Sequence, residues 1–203
     1  MANPEIIDDF TNNEPPPTIP GGTQRPSKRV DLERFNAIRR RQELNALLTQ
    51  RTCGVSEAVV QDFEPGDVPL LLQIVHERDP NGNQAIRKHA VRALGEFRNV
   101  EVLEVLWRIS SDDLEPEGIR GQALLALAHV TPRMAPGLLQ GSLDDESPLI
   151  RQAAVSALTE VGGQSALNLV TELLERERDI GVRQRAAMAA ETIGKPRIPE
   201  GDL

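Results

Sequence analysis

Apolar residues recur at the same places in four stretches of the chain. The stretches begin at Ile86, Ile119, Ile150 and Val182, so they follow one another at steps of 33, 31 and 32 residues. Within each stretch the apolar residues are spaced by three and four, as on one face of an α-helix. A repeat of this length is typical of one helical hairpin stacked on its neighbours, so the pattern predicts an α-solenoid.

Each aligned stretch is preceded by another apolar segment of helical character. These segments cover residues 68–78, 100–111, 133 or 135 to 143, and 164–178. Helix starts are indicated by Ser147 followed by Pro148 and by Asp179, because serine and aspartate cap helices and proline suits the first turn. The pair Gly162-Gly163 indicates a helix end. Each repeat is therefore predicted to contain a first helix, a polar turn and a second helix, and the second helix is the aligned stretch.

The second helices are predicted to pack closely against one another. Alanine occupies the fifth and eighth places of all four, one turn apart, where a small side chain lets a neighbouring helix approach. These residues are Ala90, Ala123, Ala154 and Ala186 at the fifth place, and Ala93, Ala126, Ala157 and Ala189 at the eighth. In the first helices, Trp107 lies inside an apolar run and is predicted to be a core residue.

The two ends of the chain differ from the repeats. Residues 1–29 contain six prolines and few aliphatic residues, so they are predicted to be a disordered leader. Residues 30–64 are predicted to form an N-terminal helical cap, with a long helix to about residue 50 and a short helix over 56–63. The repeats then cover residues 65–196, and a C-terminal tail of residues 197–203 follows.

Two short motifs near the N-terminus each allow two interpretations. Ile6, Ile7 and Phe10, among acidic residues, are either a docking motif or leader residues that fold back on the first helix. The run Arg39 to Arg41 is either a binding site for an acidic partner or a solvated helix face, and the second interpretation is favoured.

Charge and composition narrow the classes of function. The formal net charge is −8, and residues 64–203 alone carry 15 basic and 22 acidic side chains. Because phosphate neutralisation dominates nucleic-acid affinity, no nucleic-acid partner is expected. The single cysteine, Cys53, indicates a reducing compartment, and neither a signal peptide nor a membrane-spanning apolar run is apparent. These features predict a soluble cytoplasmic protein without membrane contact.

The combination of Ile or Val followed by Arg, paired alanines, and the Ala93-Leu94-Gly95 ending of the clearest copy resembles the short HEAT-like repeats of phycobilisome lyases. The resemblance covers about residues 65–196. It implies an all-α, right-handed solenoid of about four helical hairpins. It also implies that the arginine at the second place of each second helix pairs with an acidic residue of an inter-helix turn. The arginines are Arg87, Arg120, Arg151 and Arg183, and the candidate partners are Asp79, Asp113, Asp145 and Asp179.

Candidate catalytic chemistry is sparse. His76-Glu77 resembles one of the His-Glu pairs with which HEAT-repeat hydroxylases bind iron, but the other two histidines, His89 and His129, lack the following glutamate. The chain contains no glycine-rich phosphate loop, nucleophile elbow or Cys-x-x-Cys motif. No catalytic residue, metal site or cofactor is therefore predicted.

The outward places of the second helices are the candidate functional site. We define the second-helix surface as the third, fourth, seventh and eleventh places of these helices, predicted to line the concave side of the solenoid. Its candidate partner-binding residues are His89, Arg92, Gln122, Leu125, His129, Gln152, Ser156, Arg185 and Met188. Apolar Leu125 and Met188 among polar neighbours favour a protein or peptide partner. The predicted function is a non-enzymatic scaffold or adaptor, and the alternative is a bilin lyase or chromophore-handling chaperone.

Overall fold

The computed structural model describes residues 28–50, 63–77 and 84–195. The chain divides into two compact units, residues 1–39 and 40–203. The described part of the first unit is the beginning of helix α1, Lys28–Gln50, and the second unit contains the remainder of α1 and the repeats. The predicted leader up to residue 27, the short helix over 56–63 except its last residue, and the predicted tail lie outside the described residues.

Four helical hairpins follow α1. The first helices are α2 (Val68–His76), α4 (Val100–Ser111), α6 (Ala135–Leu139) and α8 (Gly163–Arg176). The second helices are α3 (Gln84–Leu94), α5 (Glu117–Val130), α7 (Pro148–Val161) and α9 (Ile180–Gly194). The described residues contain no β-strand. The predicted all-α solenoid is confirmed.

The helix boundaries follow local sequence signals. The side chains of Ser147 and Asp179 accept hydrogen bonds from the backbone N–H groups of Leu149 and Val182, as N-terminal caps do. Gly162 links α7 directly to α8 with a φ of 67°, a backbone conformation that favours glycine. Helix α6 is short and continues as the 3-10 helix Gln140–Asp144, in a segment weakened by glycine. Most predicted boundaries are therefore reproduced within two residues.

The second helices form a closely packed layer. The fifth- and eighth-place alanines are all buried, as predicted. Consecutive second helices pack along one another, whereas consecutive first helices make few mutual contacts. A Cβ atom built on Gly95 would lie 3.1 Å from the Cβ of Ala126, and one built on Gly121 would lie 3.1 Å from that of Ala153. Small residues are therefore what allows this helix spacing.

The prediction that Trp107 belongs to the core is wrong. Its side chain is 53% exposed, whereas Val105, Leu106 and Ile109 of the same helix are buried. With 3.6 residues per turn, these three residues and Val102 already fill the inward side of α4, so Trp107 points outward.

Among the described residues, no helix has the length and apolar character needed to cross a membrane.

Candidate functional site

A ladder of ion pairs connects consecutive repeats. Arg87 donates to both oxygens of Glu115 at 2.5 and 2.6 Å. Arg151 donates to both oxygens of Glu177 at 2.7 and 3.1 Å, and Arg120 donates to Asp145 at 2.5 Å. Each arginine thus reaches the turn of the following repeat. The pairing of the second-place arginine with a turn carboxylate is confirmed for these three.

Of the predicted partners, Asp113 and Asp145 both pair with Arg120, whereas Asp179 is wrong. Asp179 caps α9, and Glu177 is the acceptor in that turn because its side chain faces back toward α7. Asp113 pairs with Arg120 at 3.3 Å as predicted, but it is largely exposed. The buried carboxylate of the same turn is Glu115, which the prediction missed and which binds Arg87. Arg183 is exposed, and no ion pair joins it to a described acidic residue, since no described repeat follows α9. Asp79 lies outside the described residues.

The arginine cluster of α1 also contributes to packing. Arg40 donates two hydrogen bonds to buried Asp67, at 2.8 and 2.6 Å, and Arg41 pairs with Glu77. The prediction of a solvated face is therefore wrong for these two residues. They are in the second unit, and they attach the end of α1 to the first repeat.

Ion pairs change the titration of two carboxyl groups, Asp67 beside α1 and Glu177 in the ladder. Hydrogen bonds from Arg40 lower the pKa of Asp67, and hydrogen bonds from Arg151 lower the pKa of Glu177, in both cases against the opposing effect of burial. A lowered folded-state pKa means that the stabilisation is present at neutral pH and is lost as the pH falls through that pKa. These two groups therefore make the fold sensitive to acid.

The structure brings the candidate binding residues onto one layer of helices. His129, Arg185 and Met188 are exposed, and Met188 has 70% of its surface accessible. The other six are half-buried: His89, Arg92, Gln122, Leu125, Gln152 and Ser156. Leu125 was expected to be fully outward, but it packs partly against the core cluster below it. The apolar character of this surface is thus carried mainly by Met188.

Polar contacts link neighbouring helices across the second-helix surface. The Arg185 guanidinium donates to Ser156 Oγ at 3.0 Å, and Ser156 donates in turn to the carbonyl of Gln152. His129 Nδ1 lies 3.5 Å from Glu96 Oε1. Burial raises the pKa of Glu160, and electrostatic attraction to His129 and Arg92 opposes that rise. The eleventh place therefore carries Glu96, His129 and Glu160 near the C-terminal ends of the first three second helices, and Thr192 on the fourth.

His76 has a structural environment. Its Nδ1 lies 2.6 Å from the carbonyl oxygen of Leu72, which can only accept, so Nδ1 carries a proton and Nε2 accepts from Arg108 at 2.7 Å. Glu77 pairs with Arg41. Neither group of the His-Glu pair is thus directed at a shared metal position. Within the described ranges, no three His, Cys, Asp or Glu side chains are arranged to hold a metal ion.

Two cavities adjoin the ladder. One, of about 220 Å³, is lined by residues that include His76, Arg87 and Glu115. The other, of about 360 Å³, is lined by residues that include Arg151 and Glu177. Both sit beside inter-repeat ion pairs, so their polar groups already hold the repeats together.

Sequence reasoning missed an apolar strip on the outer side of α4. Val100 is 71% exposed and Trp107 53% exposed, Leu103 between them is partly buried, and Leu114 beyond the helix is also exposed. The spacing of 100, 103 and 107 is that of one helix face, which is the signal that could have revealed it.

Residues 114–191 match the family model described as HEAT repeats. An uncharacterized protein in the gldA 3' region of Geobacillus stearothermophilus is 30% identical over 118 residues, which are 58% of this chain and 53% of that protein. The chain thus spans about half the length of this relative.

A solved structure shows the same kind of fold. A chain of the complex of CpcE and CpcF of phycocyanin lyase from Nostoc sp. PCC7120 superposes with a TM-score of 0.56 at 22% identity, over 75% of this chain and 98% of that chain. A designed armadillo repeat protein in complex with the peptide (KR)4 superposes with a TM-score of 0.46 at 18% identity, over 79% of this chain and 86% of that chain. The hairpin geometry, the alanine-lined layer and the family match agree for residues 114–191, which are HEAT-like repeats. The fold of the described repeats is that of a helical-repeat solenoid.

Proposed function

We propose that the protein is a cytoplasmic, non-enzymatic scaffold or adaptor that binds a protein or peptide partner on the second-helix surface. The observation that supports this most is exposed Met188, which stands on a layer of four helices that also carries the half-buried amides of Gln122 and Gln152. Protein interfaces typically have an apolar centre surrounded by a polar rim.

Helix packing supports the same surface. The second helices approach one another more closely than the first helices do, and the side with the closer spacing becomes the inside of a curved stack. The second-helix surface is then the concave side, where a partner contacts several repeats at once.

The alternative function is that of a bilin lyase or chromophore-handling chaperone. It draws support from the likeness to a chain of the phycocyanin lyase complex, which at 22% identity is a likeness of fold. Incubation with a bilin and an acceptor protein separates the two functions. A new visible absorbance band on the acceptor supports the lyase, and its absence together with stable partner capture supports the scaffold.

Introducing a carboxylate at Met188 is expected to weaken partner capture by about tenfold or more. A carboxylate in a desolvated contact loses hydration without gaining a pairing group. The measurement is affinity capture followed by mass spectrometry, comparing the wild type with Met188→Glu and with Met188→Glu combined with Leu125→Glu. Because Leu125 is half-buried, the single variant is the cleaner one, and circular dichroism checks the folding of both.

Trp107→Glu is the matched control, since it makes the same change at an exposed apolar residue of a first helix. It should leave capture unchanged. Capture that survives the double variant contradicts the proposal, and capture lost only in Trp107→Glu moves the binding site to the outer strip of α4.

A further inference from the structure

We propose that the second-helix surface recognises an extended acidic segment that also carries apolar side chains. This inference rests on the proposed function and specifies the chemistry of its partner. The third, fourth and seventh places of the four second helices include Lys88, Arg92 and Arg185 but no carboxylate. The charge at these places is therefore positive, whereas the net charge of the whole chain is −8.

None of the three cations is part of the ion-pair ladder that holds the repeats together. In the part of the chain that the structure describes, no ion pair joins Lys88, Arg92 or Arg185 to a carboxylate. The ladder arginines 87, 120 and 151 differ in this respect, because each is bound to a carboxylate of the next repeat. The positive charges of Lys88, Arg92 and Arg185 are thus not used in the ion pairs that join one repeat to the next.

Arg185 is the best placed of the three. Its Nη1 donates to Ser156 Oγ at 3.0 Å, so the side chain lies across the gap between α9 and α7. A guanidinium has five N–H donors, and a neutral hydroxyl takes one of them. The remaining donors suit a carboxylate, which binds a guanidinium with two parallel hydrogen bonds. Met188 lies one turn further along α9, within reach of a neighbouring apolar side chain.

The eleventh-place row fixes where the segment lies. Glu96 and Glu160 are at the C-terminal ends of α3 and α7, where they repel an acidic segment. Glu160 also offsets part of the positive charge of Arg92. The segment therefore lies over the third, fourth and seventh places of the second helices, where Lys88 and Arg185 contribute most of the attraction.

The spacing of the helices sets the length of the segment. Three steps of about 8 to 10 Å separate α3 from α9. An extended chain covers about 3.3 Å per residue, so eight or nine residues, roughly, connect Lys88 to Arg185. In such a segment, acidic residues near the two ends would pair with Lys88 and Arg185. An apolar residue in the middle would contact Leu125.

Fluorescence anisotropy with labelled peptides of about nine residues tests the inference. Alternating Asp and Leu is the probe, and alternating Ser and Leu or Lys and Leu are the comparisons. The Asp-Leu peptide is expected to bind about tenfold or more tightly than either, with an affinity that falls between about 0.05 and about 0.5 M salt. Arg185→Glu combined with Lys88→Glu should weaken it by at least the same factor.

Arg98→Glu with Arg133→Glu is the control, because these arginines are exposed and lie outside the second-helix surface. It carries the same charge change and should bind the Asp-Leu peptide like the wild type. Equal binding of the Ser-Leu peptide, no binding of the Asp-Leu peptide, or tighter binding of a single-stranded oligonucleotide overturns the inference. None of these results alters the capture experiment with Met188→Glu, so the proposed function is judged separately.

Discussion

Replacing Glu177 with alanine is expected to lower the free energy of unfolding by about 3 kcal/mol. Glu177 is 8% exposed and accepts hydrogen bonds from Arg151 and from the backbone N–H groups of Arg178 and Asp179. Truncation leaves the Arg151 guanidinium without its carboxylate and removes two bonds that order the turn before α9. Urea denaturation followed by circular dichroism measures the loss.

Acid sensitivity is the second property that Glu177 controls. Its pKa is lowered by Arg151, so its stabilisation is present at neutral pH and is lost on acidification. The melting temperature of the wild type should fall between about pH 5 and about pH 2, and Glu177→Gln should start lower and fall less. Glu160 has a raised pKa and acts in the opposite sense, since its ionisation in the folded state is unfavourable.

Exposed Glu175 provides the control, and Glu175→Ala should unfold like the wild type. An unchanged midpoint for Glu177→Ala would show that the ladder does not hold the repeats together.

Replacing Ala126 with leucine is expected to cost on the order of 1 to 3 kcal/mol or more. Ala126 is 4% exposed and faces Gly95, and a Cβ atom on Gly95 would lie 3.1 Å from both the Cα and the Cβ of Ala126. Three further carbon atoms therefore require α3 and α5 to separate, which disturbs the packing of two repeats. The same denaturation experiment measures this cost.

Ala187→Leu makes the same chemical change at an exposed place of α9 and should leave stability nearly unchanged. If Ala126→Leu also unfolds at the wild-type midpoint, close approach of the second helices is not what limits side-chain size there.

The architecture could be predicted because it is periodic. Each hairpin buries its apolar face against the next one, so the fifth- and eighth-place alanines must recur, and all eight are buried. The caps at Ser147 and Asp179 were predictable for a local reason, since a helix start needs a side-chain acceptor within a few residues.

The errors concern features that the repeat does not constrain. Which turn carboxylate faces the arginine depends on the path of each turn, and these turns differ, so Glu115 and Glu177 were missed in favour of nearby aspartates. Trp107 was misplaced because its apolar neighbours Val105, Leu106 and Ile109 suggested burial, although its own helical spacing places it on the opposite face. The identity of a partner cannot be predicted from the repeat pattern either. It depends on outward side chains, and helix packing does not restrict which residues occupy those places.

Site-specific photo-cross-linking tests the central claim that the second-helix surface binds the partner. A benzophenone side chain is placed at His129 or Gln184 on second helices, and at Trp107 or Glu172 on first helices of the same repeats; all four residues are exposed. We expect the partner to be cross-linked from His129 and Gln184 and not from Trp107 or Glu172. Cross-links from Trp107 and Glu172 with none from His129 and Gln184 would contradict the claim.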